Sequence, residues 1–495
     1  MGYLIGYDVG SSSVKASMLE AETGKIVAAA TSPEGTELEI MAPKPGWAEQ
    51  HPSVWWDHIK LVTAKIKEKA GVSLEDVVAI GISYQMHGLV LVDQKQEVLR
   101  PAIIWCDSRA VEIGDQAFAE IGEETCLQQF LNSPGNFTAS KLKWVQDNEP
   151  ELYQKVNKAM LPGDFIAMKL TGEVKTTPSG LSEGILWDFV QNDLAQRILE
   201  YYQIDPSLLP EAVPTFSIQG ELTPQAAEEL GLKPGIKVAY RAGDQPNNAF
   251  SLNVLNPGEL AATAGTSGVV YGVIDEVNYD PKSRVNTFVH VNHKLDAARY
   301  GVLLCVNGTG ILNRWMKNNF TQGLSYVEMN ELAAKTQVGA DGLSILPFGN
   351  GAERTLENKN IGATFYGLDL NTHQRGHVLR AAQEGIVFAL NYGVQIMCEM
   401  GMAIRTVKAG HANMFLSPLF SEAFASVTGA TIELYNTDGS QGAARGAGLG
   451  AGVYDDYEQA FVGLESLQTI RPNQSLVPKY KEAYERWLEF LQERM

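Results

Sequence analysis

Positive charge is scarce in this chain, and so are cysteine and unbroken apolar runs. Lys and Arg number 39 against 58 Asp and Glu in 495 residues, a net charge of −19. Phosphate backbones select clustered Lys and Arg, so this balance argues against a nucleic-acid partner and against an anionic membrane surface. It leaves a phosphate ligand open, because backbone N–H groups and magnesium can hold a nucleotide without net positive charge. The four cysteines, Cys106, Cys126, Cys305 and Cys398, show no pairing or CxxC spacing. They read as reduced thiols of a cytoplasmic protein. The longest uncharged runs, 260–274 and 385–398, are shorter than the ~18 apolar residues of a membrane span. The N-terminus has no basic n-region followed by a long apolar stretch, so it reads as a strand and not as a signal peptide. A Walker A loop is missing, and no GxGxxG follows the first strand, which argues against a Rossmann cofactor.

What is present is mixed α/β patterning. Residues 3–7, 14–19 and 26–30 read as an antiparallel meander joined by Gly-Ser and Thr-Gly turns. Ser53 is the expected N-cap of a helix whose apolar face carries Trp55, Ile59, Val62 and Ile66. Residues 77–83 form a continuous apolar run suited to a buried strand, with 88–92 expected as its neighbour. Near residue 242 the pattern restarts. Strand, small-residue turn and strand recur over 258–273, about 255 residues after the first such unit. Two similar lobes are therefore expected, 1–242 and 243–495. Residues 380–402 read as a long helix with a buried stripe at Ile386, Leu390, Val394 and Met397. The glycines of Gly446-Ala447-Gly448-Leu449-Gly450 read as helix packing.

The turns carry the candidate chemistry. Asp8-Val9-Gly10-Ser11-Ser12-Ser13-Val14-Lys15 sets a carboxylate at a strand end beside a turn of small residues. Small residues let backbone N–H groups approach phosphate oxygens. An acid there can hold magnesium through water, and Lys15 can neutralise phosphate charge. A tight hairpin chosen only for turn chemistry is the plain alternative. Gly265-Thr266-Ser267-Gly268 has the same character without the acid. Phosphoryl transfer calls for such fixed electrostatics on more than one side of the nucleotide.

Taken in order, these residues resemble the FGGY carbohydrate kinases of the actin-like ATPase superfamily. The opening 5–15 resembles their first phosphate motif. Tyr84-Gln85-Met86-His87-Gly88 is similar to the QMHG segment of xylulokinases within that family. Trp105-Cys106-Asp107-Ser108-Arg109, Ala139-Ser140-Lys141-Leu142-Lys143-Trp144 and Leu161-Pro162-Gly163-Asp164-Phe165 resemble further motifs, and Leu170-Thr171-Gly172-Glu173 follows. Ala242-Gly243-Asp244 stands where the family carries its catalytic aspartate, and 265–268 match the second phosphate motif. The resemblance runs from residue 3 to about 450. Three stretches depart from the pattern: Gln245-Pro246-Asn247-Asn248, Thr176-Thr177-Pro178-Ser179-Gly180 and Ala409-Gly410-His411.

The resemblance implies two actin-like (ribonuclease H-like) lobes flanking a deep cleft. It implies ATP-dependent phosphorylation of a sugar's terminal hydroxyl, with D-xylulose the first choice. Asp244 is the implied general base and Asp8 the magnesium ligand. Met86, His87 and Gln245 are implied sugar contacts, together with Trp105, Asp107 and Arg109; a local ion pair is the alternative for the last two. Ser11, Ser12, Ser13 and Lys15 meet phosphate, as do Gly265 and Thr266; Gly310, Gly410 and Asn413 belong to the nucleotide side. The expected cofactors are ATP and Mg2+, the partners only the small sugar and ATP, and a homodimer is left open. A kinase for another ketose, polyol or sugar acid, or a non-catalytic actin-like sensor, is the rival reading.

Overall fold

The computed structural model describes residues 2–321 and 323–495. The chain forms two compact units. The first comprises 1–253, 288–300 and 437–464; the second comprises 254–287, 301–436 and 465–495. A single boundary at 242 thus becomes an interleaved division. Helix Asp244–Ser251 stays with the strand that precedes it, and residues 437–464 return to the first unit.

The first unit is organised by a six-stranded sheet. Its strand order is Phe216–Glu221, Lys237–Gly243, Val77–Tyr84, Tyr3–Val9, Val14–Glu20 and Ile26–Ser32. Tyr3–Val9, Val14–Glu20 and Ile26–Ser32 form the expected antiparallel meander. Val77–Tyr84 joins Tyr3–Val9 in parallel, and Lys237–Gly243 joins Val77–Tyr84 in parallel. Because both edges of Val77–Tyr84 are taken, the next segment cannot pair with it. Val90–Val92 pairs instead with Lys158–Met160, a correction to the expected neighbour.

The helix Pro52–Ala70 buries Trp55, Ile59, Val62 and Ile66 completely, as their 4-3-4 spacing predicts. Its N-cap is His51 and not Ser53. The His51 ring accepts from the Ser53 N–H, and Pro52 takes the first helical position, where no N–H is needed.

Helix Gly439–Gly450 packs on this sheet through missing side chains. A Cβ on Gly6 would fall 1.9 Å from the Ser440 carbonyl oxygen, and one on Gly81 would fall 1.9 Å from that of Ala443. A Cβ on Gly450 would fall 1.8 Å from the Ala239 oxygen. Only glycine permits backbones this close.

The second unit's sheet repeats the logic. The hairpin Leu260–Ala264 and Gly268–Ile274 is followed by Thr406–Gly410 and Thr431–Tyr435 in parallel, then Ser466–Ile470 antiparallel. Helix Arg375–Glu399 starts five residues earlier than expected and buries Ile386, Leu390, Val394 and Met397. Among the described residues no helix is long and apolar enough to cross a membrane.

Candidate active site

In the first unit the parallel register brings three strand ends to one edge of the sheet, the edge where α/β proteins bind ligands. Asp8 lies next to last in Tyr3–Val9, in register with Ser83 on one side and Lys15 on the other. Ser83 Oγ donates to Asp8 Oδ1 at 2.9 Å. Burial pushes the Asp8 carboxyl up; Lys15 and Ser83 oppose it, and Asp438 adds to it. Helix Gly439–Gly450 begins against this acid, since a Cβ on Gly439 would stand 2.8 Å from Asp8 Oδ2.

Asp244 opens the helix Asp244–Ser251 directly after Lys237–Gly243. A first-turn acid suits the helix dipole. Even so, burial pushes its carboxyl up to about 7, and the neighbouring Asp8 pushes the same way; bonds from Gln245 pull it back. A carboxyl whose proton affinity is raised by burial and by a neighbouring acid is a frequent feature of catalytic sites.

Beside them stand the residues after Tyr84. Met86 is buried, and a Cβ on Gly243 would fall 2.6 Å from its Cγ and 3.3 Å from Glu183 Oε1. His87 takes a left-handed backbone, φ 59°. Its N–H donates to Glu183 Oε2 at 3.0 Å, and its Nδ1 lies 2.9 Å from the Glu183 carbonyl oxygen. Tyr84 donates its hydroxyl to Glu183 Oε1 at 2.5 Å. Lys141 Nζ donates to the carbonyls of His87, at 2.8 Å, and Ile104, at 3.0 Å.

The remaining sugar-side candidates separate. Trp105 is 45% exposed, and its Nε1 donates to Ser11 Oγ at 3.2 Å. Asp107 is fully buried; its Oδ2 accepts from Arg109 Nη2 at 2.7 Å and from the Ala48 N–H at 2.6 Å. Arg109 also meets Glu49 Oε1 at 2.7 Å and lies 3.7 Å over the Trp47 ring. Asp107 and Arg109 are therefore joined in a buried ion pair, the alternative noted above. The Gly10 N–H donates to Ser13 O, and Gln50 and Leu38 bond the carbonyls of Ser11 and Ser12; Ser12 and Lys15 are exposed.

In the second unit a cavity of about 400 Å³ opens at the other small-residue turn, within the size range of small-molecule sites. Gly265, Thr266, Gly310 and Asn413 line it, with Arg314, Tyr326 and Ser417. The Gly310 N–H donates to Gly265 O at 3.0 Å, and a Cβ on Gly310 would fall 2.1 Å from that oxygen. Gly410 ends the strand Thr406–Gly410 and does not line the cavity; Asn413, three residues on, does. Behind the turn, both Glu353 carboxylate oxygens accept the Asn307 N–H, at 3.1 and 3.0 Å, and burial pushes this acid up to about 7.

Sequence reasoning missed Glu183, Asp438 and Glu353, and gave Lys141 no role. A lysine inside an apolar helical pattern was the one available signal. The acids are found only through partners about 46 to 430 positions away. Among the described residues no three His, Cys, Asp or Glu side chains converge on a metal-sized site.

Two family models account for most of the chain. The N-terminal domain model of the FGGY family of carbohydrate kinases matches residues 3–251, and its C-terminal domain model matches 260–453. The chain belongs to the FGGY family of carbohydrate kinases. It is 30% identical to the xylulose kinase of Escherichia coli (strain K12), covering 96% of this chain and 94% of that protein. It is 29% identical to the xylulose kinase of Bacillus subtilis (strain 168), covering 98% and 96%. The crystal structure of xylulose kinase from Rhodospirillum rubrum superimposes with a TM-score of 0.87 at 26% identity, over 99% of this chain and 98% of that one. The fold is the two-domain actin-like architecture of these sugar kinases.

Proposed function

We propose that this carbohydrate kinase transfers the γ-phosphoryl group of ATP to the terminal hydroxyl of D-xylulose, giving D-xylulose 5-phosphate. The observation that carries the reading is the Asp244 carboxyl. It sits at a helix start beside Asp8, with a proton affinity raised to about 7, close to the range suited to a general base. In this reading Asp244 takes the proton from the sugar hydroxyl as that oxygen attacks phosphorus. Met86 and His87 serve the sugar, joined by Gln245 and the exposed face of Trp105. Asp107 and Arg109 brace the wall behind them.

Gly265, Thr266, Gly310 and Asn413 serve the nucleotide, as do Ser11, Ser12, Ser13 and Lys15 of the first hairpin; Gly410 supports Asn413 from the strand end. Magnesium fits the acid pair: its habit is one or two carboxylates completed by water and phosphate oxygens, and Asp8 offers oxygen in a locally negative setting. Asp8 would hold it, and the ion would neutralise charge on the phosphate oxygens. The scattered, unpaired cysteines support a cytoplasmic location, and the charge of −19 disfavours nucleic acid. In this reading the assembly is a homodimer, which light scattering checks.

ADP release across pentuloses, hexuloses, polyols and sugar acids tests the substrate. D-Xylulose should give the highest kcat/KM. A tenfold higher value for another member overturns the sugar assignment.

A further inference from the structure

His87 is held at its backbone and at one side of its ring. The left-handed region is uncommon for a residue with a Cβ, and such positions cluster at functional sites. The His87 N–H is fixed by the Glu183 carboxylate and its carbonyl by the Lys141 ammonium. The ring lies edge-on to Phe137, with centroids 4.8 Å apart. The fourth contact sets the ring's chemistry. A carbonyl oxygen can only accept, so the 2.9 Å approach of Nδ1 to Glu183 O requires the proton on Nδ1. In the neutral ring Nε2 is then an acceptor. The His87 side chain keeps 20% of its surface exposed, whereas that of Glu183 keeps 2%. Lys141 is fully buried.

The two clamping groups have few other tasks. Glu183 accepts from Tyr84 at the end of the central strand and stands against Gly243, the residue before Asp244. Lys141 ties His87 to Ile104, next to Trp105. Both are titratable groups in a dry interior, where burial pushes the Glu183 carboxyl well up and the Lys141 amine down to about 7. Such groups cost stability unless their hydrogen bonds are made.

We propose that Glu183 and Lys141 are positioning residues that clamp His87 with its proton on Nδ1, so that Nε2 accepts a hydroxyl of the acceptor sugar and selects for a hydroxyl at that place. This rests on the sugar-side role of His87 given above.

Selective 15N-histidine labelling reads the tautomer, and His87→Gln assigns its signal among the eight histidines. The expected spectrum shows Nδ1 protonated and Nε2 bare. Glu183→Ala removes the acceptor of two donors, and Lys141→Met keeps the stem but removes Nζ. Each should raise the sugar KM about tenfold or more, with a smaller loss in kcat and an unchanged KM for ATP. Glu183→Gln keeps an acceptor and should restore most of the sugar affinity. A proton on Nε2 in the wild-type protein overturns the proposal, whether or not Glu183→Ala folds. So does a Glu183→Ala protein, folded by circular dichroism, whose sugar KM stays within twofold of wild type. Failure of the kinase reading looks different: the wild-type protein would release no ADP with any sugar.

Discussion

The two units share a hairpin flanked by parallel strands, in a six-stranded sheet and a seven-stranded one, but pack their sheets in different ways. In the first, helix Gly439–Gly450 reaches the sheet through glycines, so that backbone meets backbone at Gly6 and Gly81. In the second, helix Arg375–Glu399 fills its interface with Ile386, Val387, Leu390 and Val394. The turns differ in the same spirit. The first hairpin carries Asp8 and Lys15 on paired strands, while the second is uncharged and borders a cavity. Close glycine packing lets a helix start against an acid, as Gly439 does at Asp8; side-chain packing leaves room for a ligand-sized space. Similar layouts thus serve an acid site in one unit and a ligand-sized cavity in the other.

The largest effect should come from Asp244→Asn, which tests whether chemistry belongs to the first unit alone. Loss of a general base typically costs ~10²–10⁴ in rate, about 3–5 kcal/mol. The expected kcat collapses, while ATP affinity by calorimetry stays near wild type and the melting temperature does not fall, since the neutral amide removes a buried acid whose carboxyl is pushed up to about 7. A variant that keeps more than about a tenth of wild-type kcat breaks the assignment.

Leu390→Ala tests the side-chain packing of the second unit. Leu390 is 1% exposed, and truncations of this kind cost about 2–5 kcal/mol. Denaturant unfolding should show that loss. Gly81→Ala tests the opposite design: it adds one methyl yet should still destabilise, by about 1–3 kcal/mol, because its Cβ meets the Ala443 backbone, which cannot step aside. If Gly81→Ala proved neutral by the same unfolding measurement, the contrast between the two packing modes would disappear.

The smallest effect concerns Glu353. Burial raises its carboxyl from 4.5 to about 7 in the folded protein. A raised carboxyl binds its proton more tightly folded than unfolded. Its contribution is therefore complete below about pH 4.5 and is lost as pH rises through about 7. The melting temperature of wild type should fall across that window relative to Glu353→Gln, whose profile should be flatter. Parallel profiles would show that Glu353 does not titrate there.

Much of the layout was legible. The stripe Trp55, Ile59, Val62 and Ile66 is a local 3.6-residue period, and the hairpin turns at 10–13 and 265–267 are written in small residues. Helix-packing glycines at 446–450 were also readable, since nothing else explains so many in a helix, and a Cβ on Gly446 would fall 2.5 Å from the Tyr240 ring. The partner of 88–92 was not legible, because it depended on both edges of Val77–Tyr84 being occupied. Nor was the fate of Asp107 and Arg109: Asp-x-Arg reads alike as a ligand set and as an ion pair until Glu49, Ala48 and Trp47 arrive around it.

The sequence by itself determined periodicity, turn chemistry and the places where an acid follows a strand, because each depends on residues a few positions apart. It determined the family through the order of its motifs. Tertiary structure alone decided that residues 437–464 complete the first unit, that burial and Asp8 raise the proton affinity of Asp244, and that Glu183 and Lys141 grip His87. Those facts depend on burial and on partners far along the chain, and electrostatic coupling becomes strong only where folding has excluded water.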